Sequence, residues 1–191
     1  AERRVGRGVA ERGEVGVVSY GVDMSPDRSA LAIGEYMKCG GGTAPGERVK
    51  FEDTHRFGSA WAVQWLVEKW QNTAAVVIDG QSPAMVLVPD LQKRHVRVMV
   101  TNASAVGQAC GRFLDMNDQG LLHHLPDEVQ MPLSLAVHGA VTRPIGNSGA
   151  FGWNKMGSDI DISPLVAVTL ALHGAFTSKR HPGRKARAVA L

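Results

Sequence analysis

The apolar positions of the chain change period twice. Residues 14–23, Glu14-Val-Gly-Val-Val-Ser-Tyr-Gly-Val-Asp23, form a short apolar run rich in β-branched residues without helical spacing, which predicts a buried strand to about Gly21. Met24-Ser-Pro-Asp-Arg28 are turn formers, and the apolar pattern resumes as a second strand over residues 29–38. After the flexible Gly-rich loop 40–46, residues 48–56 show the partial alternation of a half-exposed third strand. Helical spacing then takes over. Trp61, Trp65, Leu66 and Trp70 share a stripe behind Ser59, a suitable N-cap. Thr73-Ala-Ala-Val-Val-Ile-Asp79 is the clearest strand, apolar on both faces as a central parallel strand should be, and it too ends in an aspartate. Beyond it the pattern predicts a helix to about Arg94 with Pro83 in its first turn, a strand at 96–100 and a helix at 103–117. A short strand at 121–124, a helix at 127–138, a β-hairpin within 140–155 around Gly146-Asn-Ser-Gly149, and a helix at 163–175 opening on Ser163-Pro164 complete the order.

Three strands joined by short loops predict antiparallel pairing, and strands separated by helices predict parallel pairing. This is the element order of the ribonuclease H-like fold: a mixed α/β sheet flanked by helices, here with an added hairpin. The chain divides into a lead-in at 1–13, one domain at 14–176 and a tail at 177–191. With 191 residues, 44% hydrophobic and 20% charged, one soluble domain with a full core is expected. No run of eighteen apolar residues suggests a membrane span, and the charged start is not a signal peptide. The first residue is Ala1 rather than Met, as in a piece of a longer chain. Cys39 and Cys110 make neither a disulfide framework nor a zinc motif, which points to a reducing, cytosolic setting. The net charge of +3 belongs to the tail, where Lys179, Arg180, Arg184, Lys185 and Arg187 face no acid; residues 1–176 carry −2. Such a tail reads either as a nucleic-acid contact or as a solvated, flexible end.

The candidate chemistry is acidic. In this element order the first and fourth strands are neighbours at the sheet centre, so Asp23 and Asp79 should lie side by side at one end. Two close carboxylates repel unless one is protonated or a cation joins them. Oxygen-only ligands suit magnesium or manganese. A third acid is expected at the entrance to the last helix, from Asp161 or its neighbour Asp159; helix capping by Asp161 or Ser163 is the alternative. Two ions between three such carboxylates are a device for phosphodiester hydrolysis. Lys155, just before these acids, is either a contact for the scissile phosphate or a surface residue.

The set Tyr20-Gly-Val-Asp-Met-Ser-Pro-Asp-Arg28, Val76-Val-Ile-Asp-Gly-Gln-Ser-Pro83, Gln108-Ala-Cys-Gly-Arg-Phe113 and Asp161-Ile-Ser-Pro-Leu-Val-Ala-Val-Thr-Leu-Ala-Leu172 resembles the C-terminal nuclease domain of the large terminase subunit of tailed bacteriophages and prophages. The resemblance covers residues 15–176, and its last motif is the most specific. It implies a metal-dependent endonuclease that cuts concatemeric double-stranded DNA as a capsid fills. Asp23, Asp79 and Asp161 would be catalytic and would hold two Mg²⁺ or Mn²⁺ ions, with Asp159 a less secure ligand. It further implies a packaging ATPase domain, portal and small terminase subunit as partners, and a place on the procapsid in the host cytoplasm. No Gly-Lys-Ser/Thr phosphate loop occurs in the chain, so no ATPase activity is expected of it. Lys155, Arg143 of the hairpin, Lys179 and Arg180 are the candidate DNA contacts. The hairpin resembles a family insertion that lies against DNA or regulates access to the site.

Other residues weigh less. The tryptophan stripe serves either base stacking or core packing. His123 and His124 point to opposite faces of a strand and make a poor zinc pair. Asp27 reads as a turn residue, Cys110 as packed, and Arg112 has an open role. Two further readings compete: another ribonuclease H-like nuclease of resolvase or transposase type, and a non-catalytic DNA- or portal-docking module.

Overall fold

A computed structural model describes residues 17–38, 47–54, 59–124 and 127–182. The lead-in, the Gly-rich loop with Cys39, and residues 183–191 of the basic tail lie outside them. Six strands form one sheet: β1 (Val17–Met24), β2 (Leu31–Lys38), β3 (Glu47–Thr54), β4 (Thr73–Asp79), β5 (Val98–Thr101) and β6 (Leu122–His124), in the order β5-β4-β1-β2-β3-β6. β1 pairs antiparallel with β2, and β2 with β3. β4 runs parallel to β1, β5 to β4, and β6 to β3. This is the mixed sheet of the ribonuclease H-like fold, with β1 at its middle. The hairpin β7 (Thr142–Ile145) and β8 (Ala150–Trp153) stands apart as a second, two-stranded sheet.

Each face of the sheet carries its own core. Tyr20, Val22, Ile33, Val76 and Ile78 point one way, against α1 (Ala60–Lys69), the 3₁₀ turn Pro83–Leu87 and α2 (Val88–Lys93). Ala62, Leu66, Leu87 and Leu91 meet them there. The tryptophans belong to this layer: Trp65 meets Tyr20 edge-on at 5.0 Å, so the stripe packs against the sheet. The helix expected from 83 to 94 begins as a 3₁₀ turn, its Ser82 side chain accepting from Ala84 N.

Ala32, Tyr36, Ala75 and Val77 point the other way, onto α5 (Ser163–Thr177). Every residue of α5 from Ser163 to Gly174 is buried. It is apolar all round because it lies between the sheet and the outer helices α3 (Ala103–Asp118) and α4 (Asp127–Gly139). Glycines on β1 and β2 let it sit directly on the strands: a Cβ at Gly21 would stand 2.0 Å from the Ala167 carbonyl oxygen, and one at Gly34 2.4 Å from Val168 N. α4 is broken at Gln130, where φ −123° and ψ 36° leave the helical region two residues before Pro132.

The start of the tail is docked, which corrects the flexible end expected from 177 onward. Ser178 Oγ donates to the Ala74 carbonyl at 2.6 Å. Arg180 donates from its guanidinium to the carbonyls of Trp70 and Thr73 and stacks on Trp70 with its Cζ 4.0 Å from the ring centroid. The basic residue is thus engaged by the main chain entering β4. Arg180→Ala is expected to cost about 1–2 kcal/mol, the sum of these bonds and the cation–π contact. Urea denaturation of the variant checks it, with the midpoint falling and the slope unchanged.

Candidate active site

β1 continues past Gly21, so Asp23 lies within the strand, paired with Ala32 of β2. On the other side Val22 pairs with Ile78, and one step further the parallel register brings Asp79 level with Asp23. Side chains alternate, so both carboxylates project on the α5 face, the side of Gly21, Ala75 and Val77. Neighbouring strands lie about 5 Å apart, so the two acids share one end of the sheet centre.

Asp23 is fully buried. Lys155 Nζ donates to its Oδ1 at 2.8 Å and its Oδ2 at 2.9 Å, and to the Met24 carbonyl at 3.1 Å. Ser82 Oγ donates to Oδ1 at 2.6 Å. Burial pushes the Asp23 carboxyl up from its usual range, against the pull of Lys155 and Ser82. Asp79 is half-buried and accepts from Gln81 N at 3.2 Å. It lines a cleft of about 340 Å³ with Gln81, Arg143, Asn154 and Lys155.

Asp161 lies just before the first residue of α5. It is exposed and accepts from Ser163 N at 2.9 Å, capping the first turn of α5. It lines a second cleft of about 270 Å³ with Asp27, Ser29, Ser158 and Lys155. Asp159 is exposed. Among the described residues no three His, Cys, Asp or Glu side chains are grouped to hold a metal ion. The structure therefore brings Asp23, Asp79 and Lys155 together, and Asp161 lines an adjoining cleft that Lys155 also lines.

Lys155 is half-buried rather than a surface residue, and its ammonium faces a carboxylate, not open solvent. Ser82 was invisible as a partner of Asp23 in the sequence; its signal, Ser-Pro after a strand-ending aspartate, reads only as a helix start. The candidate DNA contacts separate. Lys155 and Arg143 line the Asp79 cleft, whereas Lys179 and Arg180 line a groove with Trp70, Ala74, His95 and Arg97 at the opening end of β4. Along β4, the four steps from Ala75, the groove's nearest residue on that strand, to Asp79 span about 13 Å.

The remaining candidates resolve as packing or turns. Cys110 is buried and its thiol is pushed up to about 11, chiefly by burial, which leaves it unreactive. Arg112 stacks on Phe176 at 4.5 Å. His173 is buried in α5, and burial, then Arg112, lowers its pKa. His123 and His124 are exposed at the rim of an apolar cavity of about 240 Å³ between α3, α4 and α5. Asp27 accepts from Ser25 Oγ, Ser29 N and Ser29 Oγ, as a turn residue should, and these bonds lower its pKa to about 2. Its contribution to stability is present above the unfolded value of 3.8 and is lost as pH falls through about 2. Thermal melts between pH 5 and about 2 should show Asp27→Asn with a shallower acid loss than wild type.

Among solved structures the chain is similar to the large terminase of bacteriophage HK97, with a TM-score of 0.62 at 12% identity. The match covers 84% of this chain and 40% of the terminase chain, so the chain spans well under half the length of that protein. At that identity the likeness establishes the fold alone, a ribonuclease H-like architecture shared with part of that terminase. No family model matches the chain, and no curated protein matches it in sequence.

Proposed function

We propose that this domain is the nuclease of a phage or prophage large terminase, a divalent-metal-dependent endonuclease acting on concatemeric double-stranded DNA during genome packaging. The observation that carries the reading is the pair Asp23 and Asp79. They are level with each other on adjacent parallel strands, on one face, in a fold shared with a large terminase.

The donors suit the expected ions in kind, being hard oxygens, and the buried Asp23 has already drawn a cation to itself. Asp23 and Asp79 would hold Mg²⁺ or Mn²⁺, with Asp161 or Asp159 as the third donor. When bound, two such ions supply Lewis acidity and lower the pKa of an attacking water. Ser82 fixes the Asp23 carboxylate, and the Gln81 N–H fixes that of Asp79. Arg143 and Lys155 give the Asp79 cleft the positive charge that a phosphodiester requires. Trp153 Nε1 donates to Thr169 Oγ1 at 3.0 Å and ties the hairpin, with Arg143 on it, to α5. Double-stranded DNA, a packaging ATPase domain, portal and small terminase subunit are the proposed partners, on a procapsid in the host cytoplasm. Among the described residues no helix is long and apolar enough to cross a membrane.

A docking module that keeps its acids for structure is the second reading, favoured by the Lys155–Asp23 ion pair and the lack of a three-ligand group among the described residues. Nicking of supercoiled plasmid separates the two. The nuclease reading expects cleavage with Mn²⁺ or Mg²⁺, none with chelator, and none from a folded Asp23→Ala, Asp79→Ala, Asp161→Ala triple variant. Full activity in that variant ends the nuclease reading. No nicking, together with no carboxylate-dependent Mn²⁺ heat by calorimetry, supports docking.

A further inference from the structure

We propose that Lys155 is a built-in counter-cation of the acidic site, which exchanges with a divalent ion at Asp23 and so sets the domain's metal affinity. The inference rests on reading Asp23 and Asp79 as metal ligands.

A lysine ammonium has three donors and no acceptor. All three donors of Lys155 are spent on oxygens: both Asp23 carboxylate oxygens, at 2.8 and 2.9 Å, and the Met24 carbonyl, at 3.1 Å. Ser82 Oγ also donates to Asp23 Oδ1. The ammonium thus sits against three oxygens, donors of the hard kind that Mg²⁺ and Mn²⁺ prefer. A single ion pair on a protein surface has no such fixed geometry.

The backbone that presents the lysine is held on all sides. Asn154 N donates to the Val141 carbonyl at 2.7 Å, and Ser158 Oγ donates to the Asn154 carbonyl at 2.9 Å. Gly157 N donates to Asn154 Oδ1 at 3.1 Å. Trp153, two residues before the lysine, is bonded to α5. The anchor is fixed, while the four-carbon stem is free to rotate. That stem lines both clefts, one with Asp79 and Arg143 and the other with Asp161. The ammonium therefore has somewhere to go on either side, with its side chain already 20% exposed, whereas Asp23 at 0% has nowhere.

Burial then dictates the form of the change. An ionised carboxylate cut off from water cannot give up its cation without a replacement, either a proton or another cation. Lys155 leaves as another cation arrives, so loading is an exchange. Affinity for the incoming ion is reduced by the fraction of molecules in which Lys155 already holds those oxygens. A lysine that served only to pack the hairpin would neither move nor compete.

Two measurements on the intact chain test this. Reductive methylation of lysines, read by mass spectrometry, should find Lys155 protected without metal and modified with saturating Mg²⁺ at a rate approaching that of exposed Lys93. Calorimetry should find Lys155→Met binding Mn²⁺ about tenfold more tightly than wild type, and Lys155→Arg no more tightly than wild type. Lys155 staying protected while calorimetry registers bound ion would overturn the exchange and leave the nuclease reading intact. So would equal Mn²⁺ affinity in wild type and Lys155→Met. Absence of Mn²⁺ binding in both proteins would remove the metal reading and the exchange together.

Discussion

Asp23→Asn is expected to yield a folded domain whose metal-dependent nicking is lower by a factor of about a thousand or more, the scale of losing several kcal/mol of charge stabilisation at the phosphate. Its fold should survive because of where the two partners of the ion pair lie. Asn keeps the volume of Asp and can still accept from Ser82 Oγ, which stands 2.6 Å from Asp23 Oδ1. The stranded Lys155, with its side chain 20% exposed, can turn its ammonium into either cleft. The reverse substitution differs. Lys155→Met leaves a carboxylate with 0% exposure and no cation, the kind of broken buried pair that costs about 3–5 kcal/mol. Asp23→Asn should stay within about 1 kcal/mol of wild type, since its Lys is not trapped. Urea denaturation orders the two variants, and plasmid nicking reads the loss. Nicking by Asp23→Asn within tenfold of wild type would remove Asp23 from the chemistry, and equal stability of the two variants would refute the asymmetric pair.

The architecture was legible because local pattern and global topology agree in this chain. The two periods of apolar residues, Pro at the starts of helices and Gly-rich turns located each element within a few residues. The strand from Thr73 to Asp79 matches its predicted bounds because it is buried on both faces, so its pattern is unbroken. β1 ran longer than expected because Asp23 and Met24 stay in register with Ala32 and Leu31, and the compensation for a buried charge was 132 residues away at Lys155. No local signal carries a partner that distant. The same limit explains the third acid. Asp161 at a helix entrance fits capping and ligation equally in sequence, and the structure shows the capping bond to Ser163. The main-chain partners of Arg180 were hidden for a related reason. Basic residues near a chain end read as solvated, yet this guanidinium finds carbonyls at the entry to β4. The register of Asp23 beside Asp79 was the part of the site that topology alone could deliver.

Gly21→Val is expected to destabilise the domain by at least about 3 kcal/mol, at the severe end of overpacking. The reason is what stands above the strand. A Cβ at Gly21 meets Ala167 O at 2.0 Å, Ala171 N at 2.6 Å and the Leu170 Cβ at 2.8 Å, so two of the three obstacles are backbone of α5. Side chains rotate out of a clash, but helix backbone moves only with the helix. Lifting α5 would open the layer in which Leu165, Ala167, Val168, Ala171 and Leu172 are buried against Ala32, Tyr36, Ala75 and Val77. It would also pull Thr169 away from Trp153, and with it the tether of the hairpin that carries Lys155 toward Asp23. A melting temperature lower by about 6 °C or more is the expected calorimetric result for a domain of this size. Gly111→Ala is the control. Gly111 lies inside α3, where an added Cβ meets nothing within 4 Å, so the substitution should gain about 0.5–1 kcal/mol by helix propensity alone. If the two variants melted together, the close seating of α5 on β1 would not be what holds this end of the sheet.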